Sequence, residues 1–413
     1  MTMLATGAVV ENGQAVRLDD VPVLPIGEFR RRVIGAVADG GHLKALFGRK
    51  GGQGAESTVL TAVIGHGSTA RIEIFCSSVS GEYPSITPEC PQAHMFEREI
   101  AERWNVTPAG HPWLKPVRDP IGYGDFFTVA GDEIHEVAVG PVHAGVIEPG
   151  HFRFQCHGEQ VLHLEIVLGY QHRGIEASLV GGPHKATLVQ METVAGDTCI
   201  AHTTAYCRAV EALGRVSIPP GAHATRAIAL ELERIANHVG DLGALAGDVG
   251  FLPTASYCGR IRGDALNLTT LACGSRIGRG WVRPGGVTYE IDGLIAASLR
   301  RGLARLRTDF ASGAGLLWGD STVMSRFEGT GVVTTTDAEA LGLVGVAARA
   351  CGIPRVVRSE YPFPPFRATT PGIETAGSGD VHGRAYVRWL EVQASIAVVQ
   401  ELLDTLPGGN IRV

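Results

Sequence analysis

Residues 230–251 read LELERIANHVGDLGALAGDVGF, with apolar residues recurring at the spacing of one helix face. The same spacing extends upstream to Pro219-Pro220. The apolar positions are Ala224, Ile228, Leu232, Ile235, Val239 and Leu242. Proline suits a first helical turn, because the missing N–H has no intrahelical partner there. We therefore predict one long core helix behind the proline pair.

Helical patterns dominate the chain from about residue 183. A last helix is predicted over 384–406, where Pro407-Gly408-Gly409 stops it. The residues expected on its buried side are Tyr386, Leu390, Ile396, Val399 and Leu403. Before this helical part, alternating apolar residues predict strands at 137–139, 151–155 and 161–168.

Residues 1–120 have a different pattern. Strands are predicted at 59–64 and 70–75, around a Gly65–Gly67 turn, and a helix at 92–104. We expect residues 1–120 to form a small α+β domain and residues 121–413 to form a mainly α-helical domain with a small sheet at its start. The fold class is α+β.

The composition indicates a folded chain, with 45% apolar and 19% charged residues. The net charge of −6 gives no nucleic-acid footprint. No apolar window is long enough to cross a bilayer, so any membrane association would depend on partner subunits. The eight cysteines are scattered and contain no CxxC pair, which favours a cytoplasmic setting over a disulfide framework.

Three ordered motifs of the first domain resemble the 30-kDa-type subunit of complex I. They are YPSITP at 83–88, FEREI at 96–100 and GHPWL at 110–114. None of their polar groups forms an evident catalytic set. The resemblance implies a docking module that is fused to a larger subunit, as in formate hydrogenlyase.

The second domain resembles the 49-kDa-type subunit of complex I and the large subunits of [NiFe]-hydrogenases. The motifs that carry this likeness are GPVHAG at 140–145, GYQHRGIE at 169–176, IAHTTAYCRAVE at 200–211, the stretch at 230–251, RPGGV at 283–287, FEGTGVV at 327–333, CGIPRVVR at 351–358 and GDVHGRAYVR at 379–388. The loop GPVHAGVIEPGHFRF is closer to the formate hydrogenlyase branch than to complex I. The resemblance implies an electron-transfer subunit.

In the hydrogenases, four cysteine thiolates hold the metals, because nickel and iron favour soft anionic ligands. By resemblance, Ala195 and Thr198 stand at the first two cysteine positions. Cys199 is one residue beyond, and a one-residue shift on a helix turns a side chain by about a quarter turn or more. The segment with the second pair is expected after Val413. We therefore predict no metal ligand in this chain.

Complex I binds a quinone head group in the corresponding cavity, where reduction needs hydrogen-bond donors and a proton source. The resemblance assigns these roles to His151 (or His143), Tyr206 and Asp248. Asp248 would pair with the loop histidine and raise its pKa. Tyr206 also has the helical spacing of a core residue, so a purely structural role is the alternative for it. A structural role is likewise the alternative for His143 and His202.

Glu176 matches a glutamate on the hydrogenase proton path. It could keep a proton-relay role or pair with Arg173 on the same turn. Arg358 and Arg384 match family arginines near the metal cavity, where they are candidates, with His143 and His202, for lining a quinone site. A structural pairing with carboxylates is the simpler account of the arginines.

We therefore predict a redox subunit that binds no cofactor by itself. Its partners would be a small iron–sulfur subunit with a [4Fe-4S] cluster and membrane antiporter-like subunits, which hold it on the inner face of the cell membrane. Quinone reduction or a coupled proton transfer would occur in the cavity. The alternatives are a scaffold without redox chemistry and an active [NiFe] hydrogenase. The sequence lacks the strand–GxGxxG–helix pattern of a dinucleotide site, so we predict no NADH site in this chain.

Overall fold

The computed structural model describes residues 7–51, 57–118, 126–142, 149–367 and 372–413. The chain forms two compact units. The first comprises residues up to 9, 16–66 and 72–178, and the second comprises 179–413 with the short stretches 10–15 and 67–71. These units are defined by packing, so they do not test the boundary that the sequence motifs place near residue 120.

The elements up to residue 178 are mostly strands. They are β1 (Ala8–Glu11), α1 (Ile26–Ala38), β2 (His42–Lys50), β3 (Thr58–His66), β4 (Arg71–Val79), β5 (Glu82–Pro84), α2 (His94–Trp104), β6 (Thr107–Ala109), β7 (Ile134–Val139), β8 (His151–His157), β9 (Gln160–Val167) and α3 (Ile175–Ser178). The predicted strands and the predicted helix before Trp104 are confirmed as β3, β4, β7, β8, β9 and α2.

A four-stranded sheet in the order β1-β4-β3-β2 supports the first unit. Helix α1 packs on β2 and β3, and α2 packs on β2. The core between them contains Phe29, whose ring meets that of Phe75 edge-on at 5.3 Å. A separate three-stranded antiparallel sheet has the order β7-β8-β9.

The elements after residue 178 are mostly helices. They are α4 (Thr187–Met191), α5 (Cys199–Gly214), α6 (Pro220–Asp248), α7 (Leu252–Cys273), β10 (Val282–Arg283), β11 (Gly286–Val287), α8 (Gly293–Gly319), α9 (Ser321–Phe327), α10 (Thr335–Ala340), α11 (Gly345–Ala350), α12 (Val357–Glu360) and α13 (Val381–Asp404). The α+β class and the mainly helical second part are confirmed.

Helix α6 is the predicted core helix, and it packs against α7 and α13. All six apolar positions predicted to face the core are buried. Its glycines allow close helix approach: a Cβ at Gly243 would lie 2.9 Å from the Cβ of Cys258 on α7. The GDLGALAGD sequence therefore has a packing function in the centre of the second unit.

The last helix is observed as α13, but its predicted buried face is wrong in part. Tyr386 is 36% exposed and stacks on Trp389, with ring centroids 5.8 Å apart. Burial on several sides of α13 explains the error, because a helix that packs on α6, α8 and α11 has no single apolar stripe. None of the helices in the described ranges has the length and apolarity that crossing a bilayer requires.

Candidate functional site

The first two motifs of the first unit meet at Glu97, which is fully buried on α2. Its carboxylate accepts hydrogen bonds from Ser85 Oγ at 2.7 Å, from Ile86 N at 2.8 Å, and from the N and Oγ1 of Thr87 at 3.0 and 2.6 Å. Four donors compensate the carboxylate for its burial. The YPSITP and FEREI motifs thus form one structural contact.

The third motif is also held by α2. Arg98 donates to the carbonyls of Lys115 and Pro116, and its guanidinium lies 4.8 Å from the ring centre of Trp113. Glu102 accepts from the backbone N–H of Arg118 at 3.0 Å. The ionisable groups of α2 therefore position the segment 113–118, and Trp113 is left 54% exposed on it.

Glu176 lies on α3 and forms an exposed ion pair in the first unit. Its carboxylate is 2.5 Å from Arg103 and 3.7 Å from Arg118. The sequence offered a proton relay or a pair with Arg173 as alternatives, and these two arginines were missed because they are distant in the sequence. Exposed pairs of this kind contribute little stability.

The loop histidine His151 is the first residue of β8 and is half-buried. Its Nδ1 lies 3.3 Å from the carbonyl oxygen of Gly140, and its ring centre is 5.9 Å from that of Phe126. His143 lies outside the described residues.

The loop before α5, residues 192–198, is held by side chains of the second unit. Buried Glu192 accepts from Gly280 N at 2.8 Å and from Arg283 Nη1 at 2.7 Å. Asp197 accepts from Arg262 at 3.2 Å, and its carbonyl accepts from Asn237 at 2.9 Å. Ion pairs and hydrogen bonds thus fix this loop. By resemblance, it contains the positions at which hydrogenases have their first two cysteine ligands.

The donor atoms of this loop do not fit a nickel–iron centre. Ala195 has no donor atom and Thr198 has only a hydroxyl, whereas the centre needs soft thiolates. Cys199 is buried, and burial together with Glu192 and Glu233 raises the pKa of its thiol to about 12. Cys199 is therefore protonated at neutral pH. In the described ranges, no three His, Cys, Asp or Glu side chains are grouped closely enough to hold a metal ion.

Glu233 of α6 lies directly beneath the start of α5. Its carboxylate accepts from the backbone N–H of Ile200 at 2.6 Å and of Ala201 at 3.0 Å. These N–H groups are in the first turn of α5 and have no intrahelical partner. Burial raises the pKa of Glu233 to about 7, against the effect of these hydrogen bonds and with a further contribution from Asp197. Glu233 therefore titrates near neutral pH.

A small cavity of about 10 Å³ adjoins Glu233. Asp197, Arg262 and Arg276 are among its lining residues. Its volume is close to the minimum that one water molecule needs, so the cavity could hold a single water next to the carboxylate. Glu233 was not predicted as a site residue.

Tyr206 lies about two turns along α5 from Cys199 and is half-buried against the core of the second unit. His202 is on the same helix and is also half-buried. Asp248 is the last residue of α6 and is exposed. In the parts of the chain that the structure describes, Tyr206 and Asp248 form no hydrogen bond with each other.

The two predicted arginines have structural contacts. Arg358 is buried and donates to the carboxylate of Glu231. Arg384 donates to the carbonyls of Gly331 and Gly379, at 3.1 and 2.7 Å, and so joins the FEGTGVV and GDVHGR motifs. The simpler account from the sequence, a structural carboxylate pair, agrees with the contact of Arg358. Arg384 binds backbone oxygens instead.

A second ionic cluster surrounds Glu391 of α13. Its carboxylate accepts from Arg349, and lies 2.7 Å from both Arg234 and His238. Burial alone would raise the pKa of Glu391, but the His238 hydrogen bond and the two arginine charges hold it well below its usual value. Burial lowers the pKa of His238, which is therefore neutral at pH 7. The cluster joins α6, α11 and α13.

Two family models match the chain. Residues 32–123 match the 30 kDa subunit of respiratory-chain NADH dehydrogenase, and residues 248–413 match its 49 kDa subunit. One polypeptide thus carries a segment similar to each of these two subunits. The contacts of Glu97 and Arg98 lie in the 30 kDa-type domain, and the contacts of Arg358, Arg384 and Glu391 involve the 49 kDa-type domain.

Three similar proteins each match most of this chain. It is 29% identical to formate hydrogenlyase subunit 5 of Escherichia coli, over 91% of this chain and 71% of that protein. It is 28% identical to hydrogenase-4 component G of the same organism, over 79% of this chain and 61% of that protein. It is 25% identical to the C/D polypeptide of NADH-quinone oxidoreductase from Gluconacetobacter diazotrophicus, over 85% of this chain and 65% of that protein. These relatives support a redox subunit of a multisubunit complex.

Proposed function

We propose that this chain is the redox subunit of a membrane-associated complex of the hydrogenase and NADH-quinone oxidoreductase type, and that its own site handles protons and quinone instead of nickel. The observation that carries the proposal is the raised pKa of Glu233 at the start of α5. Glu233 provides a carboxylate with a pKa of about 7 beneath the loop where a hydrogenase would hold its metals.

The proposed chemistry is reduction of a quinone by electrons from an iron–sulfur cluster of a partner subunit. Reduction to the quinol takes two electrons and two protons, so the site needs hydrogen-bond donors and a proton supply. Tyr206 would donate to a quinone oxygen, and Asp248 would deliver protons. Glu233, whose pKa is about 7, would hold a proton in reserve at the start of α5.

The chain has no cysteine set for a cluster of its own in the described ranges, since all eight cysteines there are buried singly and free. The cluster is therefore assigned to a small iron–sulfur subunit. Attachment to the membrane is assigned to partner subunits, and the inner face of the cell membrane is the proposed location.

The competing proposal is a scaffold that only positions its partners. The specific support for it is the extent of structural pairing: Arg358, Arg384 and Glu176 all have partners within the chain. A scaffold predicts that single changes at half-buried polar positions leave turnover of the complex intact.

The experiment is quinone reduction by the complex, purified with its partners, after Tyr206→Phe and Asp248→Asn. A redox site predicts at least a tenfold loss of quinol formation in each variant, with the subunits still assembled and the partner clusters still reducible. Glu290→Gln, an exposed change on the same unit, is the control. Full turnover of both site variants would support the scaffold and contradict the redox proposal.

A further inference from the structure

An open pocket lies at the C-terminal end of α5, within the second unit. Its volume is about 540 Å³, which is in the range of small-molecule sites. The charged and titratable residues of its lining are Arg208, Glu211, Arg215, His223 and Arg367. None of its lining residues belongs to the proposed redox site.

The single carboxylate in this lining is already neutralised. Glu211 accepts a two-point contact from Arg226, at 3.0 and 2.6 Å, and a further hydrogen bond from Gly285 N at 2.8 Å. Bidentate pairing of this kind occupies both carboxylate oxygens. Glu211 therefore forms no close ion pair with the arginines of the pocket lining in the described ranges, although its charge acts to raise the pKa of Arg208.

Among the residues that the structure describes, Arg208 and Arg215 lack close acidic partners, whereas Arg367 forms a long, exposed ion pair with Glu11. In the described ranges, no carboxylate oxygen lies within 4.0 Å of the guanidinium nitrogens of Arg208 or Arg215, and Glu11 is 3.9 Å from Arg367, beyond hydrogen-bond reach. Arg208 instead lies over the ring of Phe363, at 4.3 Å. Burial and the nearby charge of Arg226 lower the pKa of Arg208, so its charge is held at a cost.

Arg215 adds a second, independent feature. It follows α5 in the left-handed conformation, with φ of 53°. Glycine is the usual residue at this point of a helix, since a side chain there is strained. An arginine at this position places a cation at the rim of the pocket in spite of the strain.

We propose that this pocket binds a phosphate group. Three guanidinium groups around one open space suit an anion with two or more negative charges and several acceptor oxygens. A carboxylate, with one charge and two oxygens, would leave most of the cationic lining uncompensated. The phosphate could belong to a free organic phosphate or to the headgroup of an anionic lipid.

The test is binding of pyrophosphate to the purified full chain, measured by titration calorimetry at fixed ionic strength. Arg208→Gln removes the most enclosed guanidinium. Arg215→Gly removes the rim cation and introduces the residue that the backbone conformation favours, so its fold is expected to be retained. Arg307→Gln removes one exposed charge of α8, far outside the lining, and is the matched control.

We expect saturable binding that Arg208→Gln and Arg215→Gly each weaken at least tenfold, and that Arg307→Gln leaves unchanged. Flotation with phosphatidylcholine vesicles, with and without phosphatidylglycerol, separates the two sources. Vesicle binding that requires phosphatidylglycerol, Arg208 and Arg215 assigns the phosphate to a lipid headgroup, and pyrophosphate binding without it assigns a free phosphate. Absence of both, or an equal loss in Arg307→Gln, would overturn the proposal.

Discussion

The carboxylate of Glu233 accepts a hydrogen bond of 2.6 Å from the backbone N–H of Ile200, so a side chain of α6 caps the N-terminus of α5. In a metal-binding relative this region would carry thiolates. Here a titratable oxygen anion satisfies the helix end, which is favourable for the anion because helix N-termini carry partial positive charge.

Glu233→Gln should change how stability depends on pH. The folded-state pKa of about 7 is above the ordinary value, so the native state binds a proton that the unfolded chain releases. The contribution of Glu233 is therefore fully present below about pH 4.5 and is lost as pH rises through 7. Relative to the variant, the wild type should lose up to about 3 kcal/mol over this interval.

The measurement is the Tm of both chains from pH 5 to 8. A constant difference in Tm over this range would contradict the raised pKa of Glu233.

Glu97→Gln should destabilise the first unit. The amide has one acceptor oxygen in place of a charged carboxylate that satisfies four donors, so we expect a loss of about 1–3 kcal/mol. Limited proteolysis should then cut near residues 85–87 and 113–118 earlier than in the wild type. Glu82→Gln, at an exposed position of β5, is the control and should leave the cleavage rate unchanged.

Glu391→Gln should destabilise the second unit by about 3–5 kcal/mol, because it leaves buried arginine charges without their anion. The lowered pKa of Glu391 gives the opposite pH sign to Glu233. Its contribution is present above about pH 4.5, the usual carboxyl value, and is lost as pH falls further. Denaturant unfolding at pH 7 and pH 4 tests this, and an unfolding free energy that Glu391→Gln leaves unchanged at pH 7 would contradict it.

Cys199 should be unreactive in the native chain. Thiolate is the reactive form, and burial together with a pKa of about 12 leaves almost none at pH 8. Peptide mapping after iodoacetamide treatment should find Cys199 unmodified until a denaturant is added. Rapid labelling of Cys199 in the native chain would contradict this prediction, because it would show that a thiolate is available at the start of α5.

Much of the fold could be predicted from local patterns. The apolar spacing of α6 and the strand alternation of β7 to β9 each depend on one period in the sequence, and both were confirmed. The buried face of α13 could not be obtained in this way, because its burial depends on four neighbouring helices, α6, α8, α9 and α11. Helical spacing alone therefore places Tyr386 in the core, whereas the structure leaves it 36% exposed.

The site is less visible in the sequence. Glu233 follows the core position Leu232 by one residue, and nothing in the spacing distinguishes it from an exposed helix glutamate. Its role depends on a hydrogen bond from Ile200, which is 33 residues away in the sequence and lies in the first turn of α5. The roles of His151, Tyr206 and Asp248 stay predictions.

Nickel content of the complex, purified with its partners and measured by plasma mass spectrometry, tests the central claim most directly. The account predicts nickel far below one atom per chain in a preparation that still reduces quinone. One tightly held nickel per chain, retained after chelator treatment, would contradict it.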